Sequence, residues 1–150
     1  MPRVDRKVII DEIVKRSLEY GVNPALSLAV FYVESGLDPM ALNKVTKAAG
    51  IAQLMPSTAR EYGVTNVFDY RENVRAGVAL LRDLIRQHGF DLREVLRRYG
   101  GFRTYRTAQR LDEYVKKVVF AWFSVADILV EIVLTKSDLL KLGVQDVRGK

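Results

Sequence analysis

The chain has 150 residues, 49% of them hydrophobic and 28% charged, a length and balance that suit one folded domain and exclude disorder or a collagen-like repeat for the whole. Cysteine is absent and His88 is the single histidine, which excludes disulfide scaffolds, zinc fingers, iron–sulfur clusters, thiol nucleophiles and multi-histidine metal sites. With 24 Lys and Arg against 18 Asp and Glu, the net charge of +6 favours anionic partners: nucleic acid, an anionic membrane surface or acidic cell-wall polymers.

The punctuation along the chain is helical. Met1 to Lys7 leads into only Val8-Ile9-Ile10 before Asp11 and Glu12, an apolar core too short for a signal peptide. The expectation is a protein that leaves the cytoplasm without a cleaved signal, or an excised domain. Val8, Ile9, Ile10, Ile13, Val14 and Leu18 recur at helical spacing, and Gly21 closes that first helix. Asn23 supplies an N-cap and Pro24 an N1 residue for a second helix that Gly36 stops. Its interior from Ala25 to Val33 is apolar on nearly every face, which places it at the centre of a domain.

Residues 36 to 49 read as a loop, with Asp38-Pro39 as a turn signal. Pro56-Ser57 opens a brief helix ending at Gly63. Asp69 caps a long amphipathic helix carrying Val74, Val78, Leu81 and Ile85 on one face and stopping at Gly89. His88, in Gln87-His88-Gly89, reads as the cation of that helix end rather than as a base. Asp91 with Glu94 forms a start like a capping box, and Gly100-Gly101 the stop. A last long helix is predicted from about Thr107 to Thr135, with a short one from Asp138 to Leu142. Its apolar run, Val118 to Leu134, is 17 residues interrupted by Asp127 and Glu131. A spanning helix wants about 20 apolar residues, so this run reads as buried or partner-facing and no stable membrane insertion is expected. No strand-length alternation, repeat or low-complexity linker is present, and the fold class is all-α, a compact multi-helix domain whose irregular stretches at 36–49 and 100–106 wall a groove.

Glu34 asks for an explanation. It occupies the last turn of the most apolar helix, where desolvation and the negative end of the helix dipole both disfavour a carboxylate. A protonated acid near neutral pH is what general-acid catalysis requires. The pattern alone leaves two readings, a tuned acid or a glutamate that points to solvent.

The surrounding motifs bear on that choice. Glu34-Ser35-Gly36-Leu37-Asp38-Pro39, followed by Gly50-Ile51-Ala52-Gln53-Leu54-Met55-Pro56-Ser57-Thr58-Ala59, resembles the lytic transglycosylase domain of the soluble, goose-lysozyme-like (SLT) type. Asn73-Val74-Arg75-Ala76-Gly77, Arg98-Tyr99-Gly100-Gly101 and Tyr114-Val115-Lys116-Lys117-Val118 are similar to further motifs of that family in the same order. The resemblance covers about residues 8 to 120. It implies a lysozyme-like domain over 1–120, with 121–150 as a helical extension packed on it. It also implies cleavage of the β-1,4 bond between N-acetylmuramic acid and N-acetylglucosamine in peptidoglycan, with closure of a 1,6-anhydro ring.

On this resemblance Glu34 is the catalytic acid and then base, and the substrate's own N-acetyl group stands in for a second carboxylate, an exception that glycoside chemistry allows. Asp38 then reads as a turn residue. Gln53 matches a groove glutamine whose amide meets sugar acetamido groups. Tyr99 matches a tyrosine whose hydroxyl approaches the catalytic carboxyl. Ser35, Met55, Thr58 and Tyr114 match further groove positions. No cofactor or metal is implied, and the partner is the glycan strand.

Departures from the family pattern are Lys47 where a glycine is usual, Gly100 after the groove tyrosine, and Arg110-Leu111 where Glu-Thr is expected. Two readings compete with transglycosylation. One is a muramidase of the same fold that activates water. The other is a basic module binding nucleic acid through Arg97, Arg98, Arg103, Arg106 and Arg110, which leaves the pattern from Glu34 to Ala59 unexplained. An inert scaffold is disfavoured because both Glu34 and Gln53 are present. Without a signal sequence, a wall-acting enzyme is expected to be a phage endolysin released through a membrane lesion, a virion-borne lysin, or a domain of a larger precursor.

Overall fold

The computed structural model describes residues 3–89, 91–101 and 108–133, with side chains up to residue 126. Six helices occupy them: α1 (Arg6–Tyr20), α2 (Pro24–Ser35), α3 (Pro56–Glu61), α4 (Tyr70–His88), α5 (Leu92–Gly100) and α6 (Ala108–Val133). The capping chemistry sets most starts. Asp5, Asn23, Asp69 and Asp91 each accept a backbone N–H of the first turn, which satisfies donors that have no partner within the helix. The reciprocal half of a capping box at α5 is not made, because the Glu94 carboxylate turns outward to Arg97 and Arg98.

α2 is the centre of the domain. Residues Ala25 to Phe31 are buried without a break, and the helix is flanked by α1 and α6. α1 also packs on α4, and α4 on α5. Only part of the predicted apolar stripe of α1 turns inward. Ile9, Ile13 and Val14 are buried, whereas Val8 and Leu18 are exposed, because the second turn faces the groove between α2 and α4 along a narrower line than the sequence run. Gly77 allows α4 to approach closely. A Cβ there would lie 2.5 Å from the Ala52 Cβ and 2.9 Å from the Phe31 ring.

α6 is amphipathic by position. Leu111, Tyr114, Val118 and Ala121 face the core at helical spacing, while Phe120 and Phe123 are 76% and 79% exposed on the outer side. The helix runs through Phe120 without interruption to Val133. Among the described residues no helix is long and apolar enough to cross a membrane. Thr107, Leu134, Thr135, the short helix expected at Asp138–Leu142, and Arg103 and Arg106 of the basic cluster lie outside the described residues. No strand forms among those described; between α2 and α3 the chain makes only isolated antiparallel bridges, Leu42 to Ala49 and Ala49 to Leu54.

Candidate active site

Glu34 projects from the last turn of α2, one residue before the helix ends at Ser35-Gly36. Burial raises its pKa from 4.5 to about 7, and a hydrogen bond from the Tyr114 hydroxyl opposes that rise. Tyr114 is brought there by the packing of α6 on α2. Burial, with Glu34 nearby, in turn holds the phenol of Tyr114 well above its usual range. Among the described residues no second acid contributes to the shift at Glu34. Asp38 accepts the Met40 backbone N–H at 2.9 Å, which makes it the turn residue its Asp-Pro context suggested.

The Tyr99 hydroxyl donates to the Ala52 carbonyl at 2.7 Å, and Tyr114 is the hydroxyl that pulls the Glu34 pKa down. Tyr99 remains close to the acid, whose charge adds to burial in raising its pKa. Its ring leans on Phe31 with centroids 6.5 Å apart. The difference is one of reach: α5 delivers Tyr99 to the loop after Gly50, while α6 runs alongside α2.

That loop, residues 49 to 54, is the wall beside Glu34, and side chains from three helices hold it. Ser35, at the end of α2, donates its hydroxyl to Ile51 O at 2.7 Å and lies 3.1 Å from Phe31 O. Tyr99 of α5 holds Ala52 O. Asn73 of α4, fully buried, accepts the Ala52 N–H at 2.8 Å and donates to Ala49 O and Val67 O. Gly50 makes room for that amide. Its φ is +79°, and a Cβ there would lie 2.1 Å from Asn73 Nδ2.

Gln53, at φ +52°, uses its side-chain nitrogen to brace the same loop, donating to Ala41 O at 3.2 Å and Gly50 O at 3.0 Å. Its amide oxygen is the end suited to meet a sugar N–H or hydroxyl. Met55 is exposed at the start of α3 and Thr58 is half-buried one turn on. Of the predicted site residues, Glu34, Tyr99 and Tyr114 are thus brought together directly, and Ser35 and Gln53 join them through the loop. Asn73 was not singled out for a role, although a polar residue at an apolar-face position of α4 was a usable signal.

Two arginines of the basic cluster are ion-paired. Arg97 and Arg98 both pair with Glu94, at 2.6 and 2.8 Å, and this pairing holds the Glu94 carboxyl down to about 2.

A buried carboxyl beside a braced loop, carried on helices alone among the described residues, sets the class as an all-α domain. Residues 11–118 match the family model of the transglycosylase SLT domain, and the chain belongs to that family. It is 34% identical over 103 residues to the transglycosylase of Enterobacteria phage PRD1, covering 69% of this chain and 38% of that one. It is 42% identical over 79 residues to a membrane-bound lytic murein transglycosylase F of Desulfosudis oleivorans, covering 53% and 17%, and 32% identical over 90 residues to the one of Shewanella oneidensis, covering 60% and 19%. The chain therefore spans less than two-fifths of the length of these relatives. No solved structure matches it.

Proposed function

We propose that the chain is a peptidoglycan lytic transglycosylase that cleaves the β-1,4 bond between N-acetylmuramic acid and N-acetylglucosamine. The observation that carries the reading is the buried Glu34 carboxyl, raised to about 7 at the end of α2 in a domain of the SLT family. Near neutral pH a large fraction of it holds a proton to give. That proton goes to the bridging oxygen as its bond to the muramic C1 breaks, and the N-acetyl oxygen of the same sugar supports the positive charge at C1. The Glu34 carboxylate then takes the proton of the muramic C6 hydroxyl, whose oxygen closes on C1 to form the 1,6-anhydro ring. The acid is regenerated and no water enters.

In this reading Tyr114 steadies the carboxyl, Gln53 meets the glycan through its amide oxygen, and Tyr99 and Ser35 hold the loop. Met55 and Thr58 line the groove. The catalytic unit is residues 1–120. The glycan strand is the partner and the bacterial wall the place of action. Identity with the phage PRD1 transglycosylase supports a phage-borne lysin.

The test is digestion of purified sacculi by the wild type and by Glu34→Gln, with products resolved by mass spectrometry. Anhydro-muropeptides from the wild type, lost in the variant, are the expected outcome. Reducing-end products, heavier by one water, would instead make the enzyme a muramidase with the same acid. Absence of products from the wild type across several wall types would overturn the reading.

A further inference from the structure

Among the described residues three that are not glycine have positive φ, and all lie in the segment that walls the site: Leu37 at +63°, Lys47 at +65° and Gln53 at +52°. Such a backbone strains any residue that carries a Cβ. Two of the three side chains have an evident structural task. Leu37 is buried in the core, and Gln53 braces the loop. Lys47 is exposed, and glycine would take its place without strain.

Lys47 belongs to a tightly bonded hairpin tip. Asn43 donates its N–H to Ala48 O and accepts the Lys47 N–H at its carbonyl, at 2.9 and 2.7 Å. The Asn43 side chain accepts the N–H groups of Val45 and Thr46, and the Thr46 hydroxyl accepts that of Ala48. The tip presents Val45, 90% exposed, between Lys44 and Lys47. Neither lysine has an ion-pair partner among the described residues. From Asp38 to Glu61 the chain carries no acid between them but has Lys44, Lys47 and Arg60. The base of the hairpin is continuous with the site, because Ala49 bridges both Leu42 and Leu54, and Ala41 O accepts from Gly50 N and from Gln53.

We propose that this tip is a second contact for the substrate, in which Lys44 and Lys47 bind the carboxylates of the peptide stem on the muramic sugar while Val45 packs on the stem's aliphatic part. The assignment rests on the transglycosylase reading and deepens it. The turn at 44–46 lies just beyond the bridge between Leu42 and Ala49, which suits a stem that branches away from the glycan. The lysines then serve selectivity for stem-bearing glycan, and the strain at position 47 is retained because the charge is needed there.

The experiment compares two substrates, stem-bearing glycan strands and the same strands stripped of their peptides by an amidase. The readout is kcat/KM for each, with wild type, the double variant Lys44→Gln/Lys47→Gln and Lys47→Gly. The ratio of the two values is expected to fall about fivefold in the double variant, through KM, as the loss of two exposed ion pairs predicts. Lys47→Gly is expected to lose part of that ratio while melting at a higher temperature, which separates charge from fold. An unchanged ratio in the double variant, or an equal loss on both substrates, overturns the stem contact and leaves the transglycosylase reading standing. No products from the wild type on either substrate removes both.

Discussion

At the scale of single residues, the folded protein tolerates Glu34 best when it is protonated. Its pKa is raised from 4.5 to about 7 by burial, so between those values the folded state binds more protons than the unfolded state. The stability tied to this group is complete below about pH 4.5 and is lost as pH rises through about 7. A Gln at position 34 keeps the shape without the charge. Glu34→Gln is therefore expected to match the wild type in urea denaturation at pH 4.5 and to exceed it by about 3 kcal/mol at pH 8. A constant difference across that range would mean that the carboxyl is not desolvated. Tyr114 acts in the opposite direction, since its hydroxyl favours the carboxylate. Removing it in Tyr114→Phe should move the high-pH limb of the kcat profile upward by about one unit, the size expected for a hydrogen bond to a charged group. A limb that stays in place or moves down would assign the limb to another group. The candidate acid was legible in the sequence because its cause is local: a glutamate in the last turn of an apolar helix. The tyrosines around it were not, because they come from α5 and α6, whose packing against α2 no local pattern encodes.

At the scale of elements, the wall beside Glu34 is a loop with almost no regular structure of its own, so its order comes from helices packed around it. Ser35, Asn73 and Tyr99 reach it from α2, α4 and α5, and each meets a backbone group. Asn73 has the largest share, with three bonds inside the protein, and truncation would strand the buried Ala52 N–H and take one of two donors from Ala49 O. Asn73→Ala should therefore lower stability by about 3 kcal/mol. Asp69→Ala, which removes the cap of the same helix at an exposed site, should cost about 1 kcal/mol. Equal losses in chemical denaturation would show that the loop is held by something other than the Asn73 amide. The helices themselves were largely readable, since caps such as Asn23 and Asp69 and stops such as Gly36 and Gly89 are written at their ends. The loop conformation was not. Positive φ at Leu37, Lys47 and Gln53 has no signature in those residue types, and the bonds that stabilise it come from residues such as Asn73 far along the chain.

At the scale of the molecule, the excess of +6 and the placement of its charges bear on how the chain would meet the polyanionic wall of the proposed function. Part of the sequence-level basicity is internal: Arg16, Arg82, Arg97 and Arg98 sit in ion pairs, and Arg93 pairs with Asp112 to join α5 to α6. Composition could not reveal this, because pairing depends on helical spacing and on contacts between helices. The unpaired lysines of the 43–47 tip are thus a larger fraction of the usable positive field than their number suggests. Attraction between exposed charges fades as the screening length shrinks from about 10 Å at 0.1 M salt to about 3 Å at 1 M. Cosedimentation of Glu34→Gln with sacculi should accordingly weaken about tenfold between these salt concentrations, since that variant retains the groove without consuming its substrate. The same titration with Lys44→Gln/Lys47→Gln added should be distinctly flatter. If both proteins lose affinity along the same slope, the attraction is spread over the whole basic surface, and the hairpin has no privileged part in bringing the wall to Glu34.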